Sequence, residues 1–220
     1  MRRYRFRGHA HDSARAVVDR LLLAALLLVP AVAVATSAAP APVAVPAPTA
    51  PGVEAARLAD AIRRGGVVVL VRHSPTMPGV GDPPGFRIDD CSTQRNLSEA
   101  GRAQARRLGQ WFEANRIRPT SVRASPWCRA IDTAMLAFGR SESWAALSNL
   151  LRDRSRQSEH QREVLAGIAT VRPAAVDVYV SHGVTIDAFV GVYLQQGEFA
   201  VVRSADQGGK IELIGRHLVP

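Results

Sequence analysis

The chain has 220 residues, 47% of them hydrophobic and 21% charged, a composition that fits one or two globular domains and excludes a disordered or collagen-like polymer. Basic residues outnumber acidic ones 28 to 19, but six of the arginines lie in the first 38 residues, so much of the excess is terminal. Aromatic residues are only 5% of the sequence, too few for a base-stacking platform, and no nucleic-acid partner is expected.

Residues 1–37 read as a signal peptide. An Arg-rich start (Arg2, Arg3, Arg5, Arg7, Arg15, Arg20) precedes an apolar run from Leu21 to Ala35 that closes on the small residues Ala33, Val34 and Ala35. The alternative is a retained membrane anchor, because counting on to Ala39 brings the run near the ~20 residues of a spanning helix. Pro30 and the alanine-rich second half favour cleavage, hence a periplasmic or secreted protein; the anchor reading would instead hold it at the inner membrane. Residues 38–52 are almost only Ala, Pro and Val, with five prolines, and read as an extended linker. The folded domain is expected over 53–220.

Within that domain Leu58, Ala59 and Ile62 share one helical face, and Gly65-Gly66 stops the helix. The run Val67 to Val71 is apolar on both faces, as expected of a buried parallel strand, with Arg72-His73 at its C-terminal end. Residues 74–96, rich in proline, form a long loop. Ser98 caps a helix that runs to about Asn115 and buries Leu108, Trp111 and Phe112. Ser121 to Ser125 reads as a short strand. Pro126 begins a helix at its first turn, and this continues to Phe138. Glu159 to Val171 is helical, Val176 to Val180 is a second buried strand followed by Ser181-His182-Gly183, Val184 to Leu194 is helical, and Phe199 to Arg203 pairs with Lys210 to Ile214 as a hairpin. The alternation predicts an α/β three-layer sandwich, helices on both faces of a largely parallel sheet, with its ligand crevice outside the carboxyl ends of the strands.

Either of His73 and His182 alone would read as a structural histidine. The pair is different, because each follows a buried strand at the edge where sites form. With Arg72-His73-Ser74-Pro75-Thr76, Ser125-Pro126-Trp127-Cys128-Arg129-Ala130 followed by Thr133-Ala134, Ser181-His182-Gly183, and the helix-opening segment Asn96-Leu97-Ser98-Glu99-Ala100-Gly101 with Gln104-Ala105, the sequence resembles the histidine phosphatase superfamily over about residues 66 to 214. The resemblance implies a phosphoric monoester hydrolase in which His73 is the nucleophile, forming a phosphohistidine that water then hydrolyses. It implies phosphate-binding roles for Arg72 and Arg129, and makes His182 the second histidine, which binds and stabilises the transferring phosphoryl group. Two guanidinium groups suit a phosphomonoester, since each offers two parallel donors as well as charge. No metal or other cofactor is implied. The remaining interior histidines, His160 and His217, match no motif and read as solvated.

Two departures from the family pattern matter. Ser74-Pro75 stands where glycine usually follows the first histidine. The general acid is also open: Asp153 is the best-placed carboxylate, but it could equally pair with Arg152, Arg154 or Arg156, and Glu159 and Glu163 are weaker alternatives on a solvated helix. The expected substrate is a small phosphate ester or a phosphorylated envelope sugar. The alternatives are a phosphohistidine protein phosphatase, whose leaving group needs less protonation, and a non-catalytic module that only binds a phosphorylated ligand. A mutase would need insertions for which a domain of this size has little room.

Cys91, in the long loop, and Cys128, beside Arg129, are the only cysteines. Two readings stand: a disulfide that pins the loop against the phosphate-binding arginine, or two independent thiols.

Overall fold

The computed structural model describes residues 51–79, 81–151, 154–206 and 210–220. The expected signal peptide and nearly all of the expected linker lie outside the described residues. The first helix, α1 (Pro51–Arg63), opens just ahead of the expected domain start at Val53. Among the described residues no helix is long and apolar enough to cross a membrane.

Six strands form one sheet: β1 (Val67–Arg72), β2 (Ser121–Ala124), β3 (Glu142–Ser143), β4 (Val176–Ser181), β5 (Glu198–Ser204) and β6 (Ile211–Leu218), in the spatial order β3-β2-β4-β1-β5-β6. The pairings β3-β2, β2-β4 and β4-β1 are parallel; β5 and β6 are antiparallel additions beside β1. The central strand shows why its sequence is apolar on both faces. Val67, Val69 and Val71 join a core beneath α1, α2 (Glu99–Ala114) and α3 (Cys128–Phe138). Val68 and Leu70 join a second core beneath α4 (Gln157–Ala169) and α5 (Gly183–Val190). Each fully buried valine contributes about 1.5–3 kcal/mol relative to exposure, and one polar residue in this run would be buried whichever way it pointed. The three-layer sandwich expected from the sequence is the observed architecture.

Two helix boundaries near the site differ from expectation. The helix expected to start with Pro126 begins at Cys128, because Pro126 and Trp127 make the turn that leads into it, with Trp127 extended at the cap. The segment expected to be helical to Leu194 stops at Val190, where Gly191 closes the helix with a left-handed backbone. Tyr193 and Leu194 then lie in a loop that reaches an arginine at the end of β1, a contact a continuing helix would forbid. The two-residue strand β3 and the 3-10 turns at Cys91–Thr93 and Ala145–Leu147 had no sequence signature strong enough to be read.

Helices α2 and α3 touch through backbone at Gly109, where an added Cβ would stand 2.2 Å from the Ala137 carbonyl oxygen. Alanine normally improves a helix interior by about 1 kcal/mol over glycine, whereas overpacking against rigid backbone costs about 1–3 kcal/mol. Gly109→Ala is therefore expected to lower the free energy of unfolding by roughly 1–2 kcal/mol in urea titration, the reverse of the propensity effect.

Candidate active site

The register of β1 against β4 builds the site. Arg72 stands opposite Ser181, so the two strands end level and the next residues, His73 and His182, emerge side by side. The His73 amide donates to the Ser181 carbonyl at 3.0 Å, and the two imidazole rings meet edge to face with centroids 5.3 Å apart. Strand β2 contributes in the same way. Ala124 pairs with Val180, the Ser125 amide continues the ladder to the Val180 carbonyl, and the Ser125 hydroxyl lies 2.9 Å from His182 Nε2.

Both histidines are buried. His73 Nδ1 lies 2.9 Å from the Ser74 carbonyl oxygen, which can only accept, so Nδ1 carries the proton and Nε2 the lone pair. Burial is the main reason that the His73 pKa falls to about 3; the hydrogen bond to Ser74 opposes the fall, and Arg129, Arg72 and Arg95 add to it. His182 is held well below its ordinary value, again chiefly by burial, with His73 and the same three arginines reinforcing it. Among the described residues its Nδ1 has no hydrogen-bond partner.

The loop after His73 is fixed from two sides. The Ser74 amide donates to Thr133 Oγ1, whose hydroxyl donates to the Arg129 carbonyl. The Ser74 hydroxyl donates to Gln104 Oε1, while Gln104 Nε2 donates to the carbonyls of Gly197 and Val219. Ser98 caps α2, accepting from the Gly101 amide, and its hydroxyl donates to the Pro75 carbonyl.

Arg72 donates through Nη1 to the Leu194 carbonyl at 2.7 Å and to the Tyr193 hydroxyl at 3.2 Å, with its guanidinium 5.3 Å from the Tyr193 ring. Its position depends on Gly183, where a Cβ would come within 3.0 Å of Nη1. Arg129 sits near the start of α3, its guanidinium 4.5 Å from the Trp127 ring. The structure thus gathers His73, His182, Arg72 and Arg129 at the carboxyl ends of β1, β2 and β4. Asp153 lies outside the described residues.

Residues 68–158 match the family model of the histidine phosphatase superfamily, branch 1. Solved structures of the same fold include the open reading frame Rv3214 from Mycobacterium tuberculosis, with TM-score 0.53 at 17% identity, covering 70% of this chain and 97% of that one. A candidate alpha-ribazole-5'-P phosphatase from Escherichia coli gives TM-score 0.51 at 15% identity over 70% and 98% of the two chains. A candidate phosphohistidine phosphatase, SixA, from Nakamurella multipartitia gives 0.50 at 20% identity over 71% and 98%. No curated protein matches the sequence. Over residues 68–158 the chain is thus similar to the histidine phosphatase superfamily, and the solved structures share its fold.

Beyond the matched motifs, the candidate site contains residues that the sequence did not single out. Asp82, in the long loop, takes both Nη atoms of Arg129 on its two carboxylate oxygens, at 2.9 and 3.3 Å. The Arg95 amide donates to the same carboxylate at 3.0 Å, and the Arg95 carbonyl accepts from Arg129 Nη1. Residue type and spacing carry no signal for this cluster, because Asp82 and Arg95 are 13 positions apart within one loop. Ser125 could have been noticed, since it follows β2 as the histidines follow β1 and β4. Two expectations are corrected: His160 is buried on α4, and His217 packs against Trp111 and Phe199, so neither is a solvated surface residue. Glu159 pairs with Arg156 on the outside of α4, and Glu163 is exposed there, as a solvated helix requires.

Cys91 and Cys128 are bonded, with Cα atoms 5.7 Å apart. The long loop is pressed onto the start of α3 at three further points. Phe86 stacks on Trp127 at 4.7 Å, Gln94 Oε1 accepts from the Cys128 amide, and Asp82 holds Arg129. Closing a loop of this size stabilises by about 3–4 kcal/mol in the chain-entropy model. Reduction is accordingly expected to lower the melting temperature by roughly 10 °C and to raise amide exchange selectively over residues 82–96.

The two histidines also set an acid limit. In the unfolded chain they bind protons near the ordinary value of 6.5, while the folded protein resists protonation down to about 3 at His73. The unfolded state binds more protons in that interval, so the stability they confer is complete above pH 6.5 and is lost as the pH falls from 6.5 toward 3. Chemical denaturation across this range should show the loss, and His73→Gln should flatten it.

Proposed function

We propose that the protein is an exported phosphomonoesterase that works through a phosphohistidine on His73. The observation that carries this reading is the tautomer set at His73: with Nδ1 donating to Ser74, Nε2 presents an unprotonated lone pair in surroundings that keep it neutral at any physiological pH. That nitrogen attacks phosphorus as the bond to the leaving oxygen breaks. Water then attacks the phosphohistidine, releasing inorganic phosphate and restoring the imidazole, so one difficult displacement becomes two easier ones.

The surrounding groups suit the charge that moves. Arg72 and Arg129 supply guanidinium donors for the phosphoryl oxygens. His182 has a specific part. The Ser125 hydroxyl lies 2.9 Å from Nε2, and in the tautomer in which that hydroxyl donates, the His182 proton is on Nδ1, which has no partner among the described residues. A buried donor left unsatisfied costs about 1–3 kcal/mol, and a phosphoryl oxygen of substrate would remove that cost as charge builds on it. Asp153 is the proposed acid for leaving groups that need a proton.

The N-terminal apolar run supports export, and so does the Cys91–Cys128 bond, since disulfides persist in oxidising compartments. The substrate is then a small phosphate ester or a phosphorylated envelope sugar. A second reading, phosphohistidine hydrolysis, draws support from Asp82: both oxygens of this crevice carboxylate accept hydrogen bonds, so it is not arranged as a proton donor.

Labelled substrate mixed with the full-length protein and quenched should leave acid-labile phosphate on His73. His73→Ala should abolish both the label and turnover, by at least about a thousandfold. EDTA should leave the wild-type rate unchanged. Near wild-type turnover of His73→Ala would overturn the mechanism.

A further inference from the structure

The guanidinium that the phosphatase reading assigns to substrate phosphate is already held by a carboxylate. Arg129 and Asp82 form a forked pair, Nη1 to Oδ1 at 2.9 Å and Nη2 to Oδ2 at 3.3 Å, with side-chain exposures of 0% and 6%. A carboxylate and a phosphate present the same paired-oxygen edge to a guanidinium, so they compete for one set of donors. We propose that Asp82 is the affinity-setting residue of this site: it occupies the phosphate-facing donors of Arg129, and substrate or product phosphate binds by exchanging with it.

The inference rests on the reading of Arg129 as a phosphate-binding group, and it follows from charge and geometry together. Three arginines, Arg72, Arg95 and Arg129, act electrostatically on both histidines, which are themselves neutral. Asp82 is the carboxylate that bonds directly to Arg129 and to the Arg95 backbone. With its single negative charge, the cluster carries a net charge close to that needed to neutralise a phosphomonoester dianion. Without it, the same cluster would hold product phosphate more tightly than turnover favours. A buried arginine also requires a partner whenever phosphate is not bound, because an uncompensated charge there is costly. Asp82 meets that requirement from a loop, and a loop residue can withdraw where a residue on β1 or α3 could not.

Asp82→Asn tests this, since asparagine keeps the shape and one acceptor oxygen but removes the charge. Titration calorimetry of the full-length protein with inorganic phosphate is expected to show at least about tenfold tighter binding to the variant. Steady-state kinetics should show KM falling and kcat falling with it as product release slows. A residue that merely braces the loop would behave oppositely, weakening phosphate binding and raising KM. If the wild type binds phosphate and the variant binds it equally or more weakly, the exchange is overturned. If neither binds phosphate, the phosphate-site reading itself fails and carries the inference down with it.

A wild-type measurement covers the case in which Asp82→Asn does not fold. Crystals of the unmodified protein with orthovanadate should show Asp82 separated from Arg129 by more than about 4 Å, beyond ion-pair distance. Vanadate bound at His73 with the Asp82–Arg129 pair intact would refute the exchange.

Discussion

Parallel pairing of β1 with β4, level at Arg72 and Ser181, is the constraint from which the site follows. Strand register in a sheet buried on both faces is strongly specified, because a slip by one residue would exchange the side chains of the two cores. Here that slip would move Val68 and Leu70 into the space of Val67 and Val69, and it would also separate His73 from His182. Stability and chemistry are thus tied to one alignment. The packing that fixes the strands fixes the 5.3 Å between imidazole rings without any dedicated device.

The polar groups at the strand ends work under the opposite rule. His73, His182 and Arg129 are buried and Arg72 partly so, and each has a partner: the adjacent Ser74 for His73, and from distant segments Ser125 for His182, Leu194 for Arg72 and Asp82 for Arg129. The low dielectric that keeps the histidines neutral also strengthens the forked arginine pair.

This division explains what could be read from residues alone. The strands β1 and β4, the Ser98 cap of α2 and the two histidines at strand ends are local patterns, and the sequence states them directly. The early end of α5 was hidden by the apolar Val192-Tyr193-Leu194, which looks like another helical turn but serves the loop beside Arg72. Asp82 and Arg95 were invisible for a different reason: their meaning lies in contacts with residue 129, and a loop of such length has no periodicity from which those contacts could be inferred. The burial of His160 has no signature either, because one histidine on an amphipathic helix gives no sign of which face it takes. For Cys91 and Cys128 only their number and place could be read, and the distance between them needed the fold.

Trp127 gives this architecture an optical consequence. Of the three tryptophans, Trp111 is packed among Phe112, Phe199 and His217, and Trp144 lies against Tyr179 and Arg123. Trp127 alone touches the site: Phe86 of the long loop stacks on it, the Arg129 guanidinium lies over its ring, and His182 approaches its edge at 5.9 Å. Its indole therefore senses the loop on one side and the phosphate-binding charge on the other. Movement of either changes the polarity and quenching around that one chromophore while the other two keep their packed surroundings, so the intrinsic fluorescence of the native protein contains a channel specific to the site.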